Sequence, residues 1–343
     1  MSVKSETVKR VLDAINFRRP DRVPVWESLQ SKAVYEHFAP GVPFPHCAVI
    51  ACHKLGIDAT YGCMRPPEDQ AAAGREDLVV AGGTAWSTTP GFGSLEELRS
   101  WRPGKFEPRR VEEQVLESWQ RMTNLYAPDT LFLSQDCGWG FMKGYDTQTW
   151  SVIALAMMRD MGPLRRYWDV KAERAAFRNS VIAKGRLMPV VQCCEDVAYK
   201  NGLMVSPEIL AGEFFPRFKR VIAPLKEAGI KVIWHSDGRI TEVIDQALAI
   251  GIDGINPVDP SAGMDMGALR RKYGRRLIMV GNVDGSRILP FGSEEEVRQD
   301  VRRCIRDGGM EGGLLLQCGS GQIMPDVPLG NVLAYVDEAH RYG

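Results

Sequence analysis

Short apolar segments that end in ionisable residues recur along the chain, and this pattern restricts the fold more than any other sequence feature. In residues 231–238, the run Val-Ile-Trp is followed at once by His235, a serine, Asp237 and a glycine. The run has the length and composition of a buried strand. Ionisable groups are costly inside a core, so their place at the end of a strand predicts a site there.

From residue 187 onward, strand-like and helix-like patterns alternate four times, at intervals typical of βα units. Such units produce parallel strands covered by helices on both faces, and strands covered on both faces are uniformly apolar, as these are. An α/β fold of the (β/α)8 TIM-barrel class is therefore predicted, with at least four parallel strands in 187–318. A doubly wound sheet is the alternative, disfavoured because no Gly-x-Gly-x-x-Gly follows the first strand.

The element boundaries can be predicted along the whole chain. Strands are expected at 23–27, 130–136, 187–194, 231–235, 254–258, 277–284 and 313–318. Helices are expected at 5–16, 111–126, 149–159, 163–184, 207–228, 240–250, 265–273, 293–307 and 329–340. Ser206 before Pro207 predicts a helix start, and Ser293 with Glu296 predicts a capping box. Residues 1–343 are interpreted as one domain, in which the Gly- and Pro-rich 39–105 form an irregular insertion or hairpin region beside the barrel.

The composition excludes several classes of protein. The 43 basic and 43 acidic residues cancel, so no bulk charge attracts nucleic acid or an anionic membrane. No apolar run reaches transmembrane length, and the first residues lack the apolar core of a signal peptide. The eight cysteines show no regular pairing, which is typical of reduced thiols. A cytoplasmic protein is expected.

In a barrel, the carboxyl ends of all strands meet on one face, where the active site lies. The polar residues at the predicted strand ends are Glu27, Asp136, Glu195, Asp196, His235, Asp237, Asn256, Asp259, Asn282, Asp284 and Cys318. His235 is one of only five histidines and follows a buried run, which favours a function. For Asn256, Asp259 and Asp284, a turn residue or helix cap is an equal alternative.

These residues form part of a wider resemblance. The chain resembles the uroporphyrinogen decarboxylase superfamily, a set of (β/α)8 barrels that includes porphyrinogen decarboxylases and cobalamin-dependent methyltransferases. The resemblance covers most of the chain, and its motifs lie at 17–25, 55–59, 202–208, 235–238, 281–284 and 325–328 with Asn331. Each motif alone is weak, but their order along the chain is specific for the superfamily.

The sequence departs from the true porphyrinogen decarboxylases of that superfamily. These enzymes carry an Arg-Gln-Ala-Gly-Arg-Tyr stretch after the first strand, where residues 26–31 here read Trp-Glu-Ser-Leu-Gln-Ser. Their aspartate in a Phe-Ser-Asp stretch has no acidic counterpart in residues 61–64. An octa-anionic tetrapyrrole needs such cations. The chain is therefore expected neither to bind nor to decarboxylate uroporphyrinogen.

The methyltransferase branch departs differently. Its thiol-alkylating members bind zinc through a His-x-Cys after this strand and a cysteine near the end of the chain. Here the first motif reads His235-Ser236-Asp237, and the place of the second cysteine falls near Gly321, three residues after Cys318. The resemblance then implies a zinc site of His235, Asp237, Glu195 and Cys318, which suits an oxygen substrate better than a thiol.

That set of ligands resembles the O-demethylase methyltransferases, which pass a methyl group from a methoxylated, often aromatic, donor to a corrinoid protein. The resemblance gives catalytic roles to Glu195, His235 and Asp237, with Glu195 or Asp237 as the general acid. The substrate pocket is expected to include Trp26, Glu27, Asp136, Trp139, Phe141, Tyr199, Asn256, Asn282 and Asp284. Cobalamin would be carried by the partner, and a homodimer is compatible with this interpretation.

Three alternatives stay open at this point. Asp237 can cap the next helix while His235 contacts the substrate without a metal. The enzyme can be a lyase that acts on a smaller carboxylic acid, or the barrel can bind a corrinoid or tetrapyrrole without catalysis. Elsewhere, His46-Cys47, Cys52-His53 and Cys63 form the densest Cys/His cluster, whose spacing matches no common zinc motif.

Overall fold

The computed structural model describes residues 3–67, 69, 78–81, 84–87, 91–134, 137–142 and 147–343. The strands are β1 (Ala59–Thr60), β2 (Leu78–Ala81), β3 (Thr84–Ser87), β4 (Leu131–Phe132), β5 (Val190–Cys194), β6 (Ala198–Tyr199), β7 (Gly202–Leu203), β8 (Lys231–His235), β9 (Gly254–Val258), β10 (Ile278–Gly281) and β11 (Leu314–Leu315). The longer helices are Ser5–Ile15, Lys32–Phe38, His46–Leu55, Leu95–Ser100, Pro108–Tyr126, Thr147–Arg159, Met161–Gly185, Phe215–Glu227, Ile244–Ala249, Met266–Tyr273, Glu294–Gly308 and Leu329–Tyr342.

The centre of the fold is a parallel sheet in which β5, β8, β9, β10 and β11 lie side by side in that order. Every residue of β9 and β10 is buried, as are the middle residues of β8. Helices cover the sheet because strands with two apolar faces must be shielded on both. The prediction of at least four parallel strands in 187–318 is confirmed.

Further parallel contacts extend this sheet into a ring. Val25 bridges to Leu316 next to β11, and Trp26 bridges to Ala59 in β1. Strand β1 pairs with β4. The circle closes where the Gln192 N–H donates to the Ser134 carbonyl, 2.9 Å away. Eight chain segments thus follow one another in a ring, as in the predicted (β/α)8 barrel class.

Two predicted strands differ in the structure. Residues 23–27 form isolated bridges and not a regular strand, and β4 covers only two residues of the predicted 130–136. Residues 135 and 136 lie outside the described part of the chain.

The helix predicted at 207–228 begins as expected, with the Ser206 hydroxyl accepting from the Ile209 N–H, but a π-helical turn at Leu210–Phe214 interrupts it. The capping box of Ser293 and Glu296 is confirmed.

The region 39–105 is more regular than the sequence indicated. It holds the helix His46–Leu55, which ends at Gly56 with φ of 66°, and strand β1, which belongs to the barrel ring. Strands β2 and β3 pair with each other in the antiparallel direction. A strand of two residues is too short to show any periodicity, so its place in the barrel was not visible in the sequence. Among the described helices, none has the length and apolar character needed to cross a bilayer.

Asp58 connects the helix Ser5–Ile15 to the ring of barrel strands. Its carboxylate lies 2.6 Å from both Arg10 Nη1 and Arg22 Nη1 and accepts the Val25 N–H at 2.9 Å. The Asp58 side chain is only 3% exposed. A buried carboxylate held by two guanidinium groups and a backbone donor is fully compensated, and loss of its charge would leave both cations without that partner.

We therefore expect Asp58→Ala to lower the free energy of unfolding by about 3 kcal/mol, measured by urea denaturation. Asp21→Ala is the matched control. Asp21 contacts the same Arg10 at 2.6 Å, but its side chain is 62% exposed, so a loss of about 1 kcal/mol or less is expected. Equal losses in the two variants would contradict this account of the N-terminal contact.

Candidate functional site

The candidate site lies where β5 and β8 end. The two strands pair in parallel, with Cys194 opposite His235. Asp196 and Asp237 each follow two residues after this last pair, and their carboxylates approach the same histidine. Nε2 of His235 lies 3.8 Å from Asp196 Oδ1 and 3.8 Å from Asp237 Oδ1. The Asp237 N–H also donates to Asp196 Oδ1 at 2.9 Å, which keeps the two acidic residues together.

These three residues offer one nitrogen and two oxygens, all within 4.8 Å of one another. Imidazole and carboxylate groups at such spacing can share one divalent ion. In the part of the chain that the structure describes, this is the one group of three or more such side chains with that geometry.

The cluster around Cys52 and Cys63 is different. Its two sulfur atoms lie 3.3 Å apart, and the nearby His53 Nε2 contacts the Tyr126 carbonyl at 2.7 Å.

The orientation of His235 is set by Asn256 on the next strand, β9. His235 Nδ1 lies 2.6 Å from Asn256 Oδ1, and the same oxygen accepts from Gln192 Nε2 at 3.2 Å. Asn256 Nδ2 donates to Gln317 Oε1. Because Asn256 Oδ1 is the acceptor, Nδ1 of His235 carries the proton. Nε2 therefore faces Asp196 and Asp237, where it can carry a second proton or, in the neutral ring, offer its lone pair to a metal ion held by the same carboxylates.

Burial of His235 acts to lower its pKa, but Asp237, Asp196 and the hydrogen bond to Asn256 act in the opposite direction and outweigh it. The pKa of His235 is therefore raised above its ordinary value. The side chain of His235 is 16% exposed, and that of Asp237 is 63% exposed. The group thus opens to solvent on the side of Asp237.

Glu195, expected to be a ligand and general acid, is placed elsewhere. Its side chain turns to the loop that follows β4. Oε1 accepts from the N–H groups of Trp139 and Gly140, the second at 2.7 Å, and Oε2 accepts from Phe141 at 2.8 Å. Burial raises the pKa of Glu195 to about 7, although these three donors act to lower it. Both oxygens of Glu195 accept hydrogen bonds from the loop. The next residue, Asp196, is therefore the one that lies beside His235.

Cys318 also lies outside the group around His235. Its thiol is fully buried, 3.5 Å from Glu27 Oε1, and its N–H donates to Glu27 Oε2 at 2.9 Å. Glu27 accepts from the Tyr335 hydroxyl as well, and burial raises its pKa to about 7. Gly321 is the residue beside the histidine: a Cβ added there would lie 3.6 Å from His235 Cε1. The position expected for a second cysteine therefore carries no side chain.

The other predicted substrate residues fall into separate environments. Asn282 donates to the Val258 carbonyl and accepts from Arg303 Nη1 at 2.8 Å. Asp284 caps the next turn through the N–H groups of Ser286 and Arg287, which is the alternative role stated for it.

The aromatic candidates are mostly packed into the core. Trp26, Trp139 and Phe141 are buried, and Phe141 packs against Trp168 with ring centres 4.4 Å apart and planes tilted by 31°. Tyr199 is 52% exposed, on the β6–β7 hairpin. Asp136 lies outside the described residues.

Two buried amides next to the site were not among the predicted residues. Gln192 and Gln317 flank Asn256, and each is at most 1% exposed. Gln192 Oε1 and Gln317 Nε2 have no hydrogen-bond partner within the described structure. The sequence did contain a signal for Gln192, since it is a polar residue inside the apolar strand Val-Val-Gln-Cys-Cys.

Comparison with known proteins agrees with the fold. Residues 189–342 match the family model "Uroporphyrinogen decarboxylase (URO-D)", which confirms the resemblance seen in the sequence. A solved structure, a methyltransferase from Methanosarcina mazei, is similar over 98% of this chain and 98% of its own, with a TM-score of 0.71 and 16% identity. At that identity the likeness concerns the fold. No curated protein matches the chain in sequence.

The position of Glu195 leads to a stability prediction. In Glu195→Gln the side-chain NH2 must face a backbone N–H of the 139–141 loop, so the free energy of unfolding should fall by about 2–3 kcal/mol in urea denaturation. Asp196→Asn makes the same chemical change one residue away, beside a partly exposed histidine. A loss of about 1 kcal/mol or less is expected for it. A larger loss for Asp196→Asn would argue against the scaffold role of Glu195.

Proposed function

We propose that this protein, which has a URO-D-like barrel, is a methyltransferase that moves a methyl group from a small methoxylated donor to a corrinoid protein. The observation that carries the proposal is the group of Asp196, His235 and Asp237 at the carboxyl ends of neighbouring barrel strands. Reactions in this fold take place at that end. A lyase acting on a smaller acid is the second candidate in the family.

The donor atoms of this group fit zinc. Two carboxylate oxygens and a neutral imidazole nitrogen are ordinary zinc ligands, and three protein ligands leave a coordination position for a substrate oxygen. Asp196, His235 and Asp237 would hold the ion, which supplies a Lewis acid for the ether oxygen of the donor. Gly321 supports this arrangement, because the absence of a side chain leaves space beside His235.

The residues of this chain have separate tasks in the proposed reaction. Asn256 keeps the His235 proton on Nδ1, and the Asp237 N–H holds Asp196 in place. Asp237 is the exposed member of the group, so it is the carboxylate that an incoming donor meets first. Glu195 is assigned a scaffold role in this proposal and not the general-acid role, because both of its oxygens accept from the backbone. A corrinoid on the partner protein would supply the nucleophile for the methyl carbon, and the donor oxygen, which keeps the electrons of the broken C–O bond, would leave as an alkoxide or phenolate stabilised at the group of Asp196, His235 and Asp237.

Metal content tests the zinc part of the proposal. Freshly purified protein is expected to contain about one zinc per chain, measured by plasma mass spectrometry. His235→Ala and Asp196→Ala should lose it, and Asn256→Ala should bind zinc about 10- to 100-fold more weakly, since the histidine loses its orienting partner. His37→Ala, at an exposed histidine, is the control and should keep the metal. If the parent contains zinc and His235→Ala retains all of it, His235 is not a ligand and the zinc mechanism is wrong.

Methyl transfer tests the reaction itself. The protein is incubated with free cob(I)alamin and methoxylated aromatic compounds, and methylcobalamin is followed by its absorbance. We expect turnover with the parent and a decrease of about a hundredfold or more in His235→Ala. Release of carbon dioxide from a carboxylic acid without methyl transfer would favour the lyase. Tight corrinoid binding without turnover would favour a binding protein.

A further inference from the structure

The thiols of Cys52 and Cys63 take no part in the proposed reaction, although they belong to the densest Cys/His cluster of the sequence. Cys52 lies in the helix His46–Leu55 and is fully buried. Cys63 lies three residues after β1 and is partly exposed. The two sulfur atoms are 3.3 Å apart. An S–S bond measures about 2.05 Å, so a shift of about 1 Å would bring this pair to bonding distance.

The surroundings of the two thiols give them different acidities. Burial acts to raise the pKa of Cys63, but three hydrogen-bond donors outweigh it, so the pKa of this thiol is lowered. The donors are the Cys52 thiol, the Leu29 N–H and the Tyr126 hydroxyl. The Tyr126 oxygen accepts the Cys63 N–H at 2.8 Å, which leaves its own hydrogen to point to the Cys63 sulfur.

Cys52 is shifted in the opposite direction. The hydrogen bond to Cys63 and burial raise the pKa of the Cys52 thiol well above its ordinary value. A proton shared between the two sulfur atoms therefore belongs to Cys52, and the hydrogen bond runs from the Cys52 thiol to the Cys63 thiolate. Such charge-assisted bonds are stronger than those between neutral groups.

This arrangement is typical of a reactive cysteine with a second thiol placed to resolve it. The thiolate is the nucleophile, and partly exposed cysteines with a stabilised thiolate are the ones that are oxidised. The structure describes all eight cysteines of the chain, and only Cys63 and Cys194 among them are not buried. Burial of the Cys194 sulfur raises the pKa of that thiol. Cys63 alone therefore combines access to solvent with a lowered pKa.

The pair also lies close to the candidate site. Tyr61, two residues before Cys63, donates its hydroxyl hydrogen to the Gly321 carbonyl. Gly321 is the residue beside His235. The segment that would move when Cys63 approaches Cys52 is thus the one that contacts the edge of the candidate site.

We propose that Cys63 and Cys52 form a dithiol site that reacts with hydroperoxides and closes to a disulfide. The Cys63 thiolate attacks the terminal oxygen of the hydroperoxide, an S–O bond forms, the O–O bond breaks, and the other oxygen leaves as an alcohol or water after it takes up a proton. Cys52 then gives up its proton and attacks the sulfur of the Cys63 sulfenic acid. The S–S bond forms, and the hydroxyl group leaves with that proton as water.

The balance of this reaction is two electrons. The two thiols lose them together, and the hydroperoxide gains them as it is reduced to an alcohol and water. The inference goes beyond the methyltransferase proposal and does not depend on it, because no residue of the group around His235 takes part.

Peptide mapping by mass spectrometry tests the site in the full-length protein, first reduced and then treated with hydrogen peroxide. Trypsin cuts after Lys54, so Cys52 and Cys63 fall on separate peptides and their disulfide appears as one cross-linked pair. We expect this pair in the parent. Cys47 shares the peptide of Cys52, so Cys47→Ser is the matched control and should form the same cross-link. In Cys52→Ser the cross-link should be lost, and the sulfenic acid of Cys63 should accumulate and be trapped by dimedone.

Alkylation by iodoacetamide at about pH 7 measures the reactivity of Cys63 separately from disulfide formation. Cys63 is expected to react about tenfold faster or more than Cys194, the other cysteine with access to solvent. Cys52→Ala guards against a fold defect caused by a buried hydroxyl group, and thermal unfolding of each variant checks that the fold is kept. Equal rates for Cys63 and Cys194, a cross-link made by Cys47 in place of Cys52, or no disulfide at millimolar peroxide would overturn the proposal.

Discussion

The candidate site depends on the register of three neighbouring parallel strands. Cys194 of β5 pairs with His235 of β8, and His235 pairs with Asn256 of β9. This register brings the orienting amide to one side of the imidazole. It also brings Asp196 and Asp237, each two residues past the last pair of their strands, to the other side. A shift of one residue between β5 and β8 would place different side chains at the histidine, because successive residues of a strand face opposite sides.

The acidic residues at the strand ends have two different physical roles. Glu27 and Glu195 are buried, and their oxygens are occupied by backbone N–H, hydroxyl and thiol donors. They hold a strand end to a distant segment, which is Cys318 for Glu27 and the 139–141 loop for Glu195. Asp196 and Asp237 instead bring their carboxylates to the same histidine, His235. An acid at a strand end is therefore evidence for a site only when its oxygens are not already used by the scaffold.

Much of the architecture could be predicted because it has local causes. The apolar runs that became β8, β9 and β10 are long enough and apolar enough to be recognised alone. The helix starts at Ser206 and Ser293 were recognised because a cap requires only residues close in sequence. Residues 23–27 were predicted as a full strand but form only isolated bridges, and the two-residue β1 was not predicted. The pairing of both segments depends on partners far along the chain.

The sequence alone predicted the barrel class, the strand that ends in His235 and the acid Asp237 just after it, whereas Asn256 was named only as a strand-end residue that could equally be a turn residue or cap. Only the tertiary structure showed that Asp196, and not Glu195, lies beside His235. It also showed that Gly321, and not Cys318, is the residue next to this histidine. Adjacent residues at the end of a strand point in different directions, and which of them reaches the histidine depends on the partner that captures the other. For Glu195 that partner is a loop 54–56 residues away.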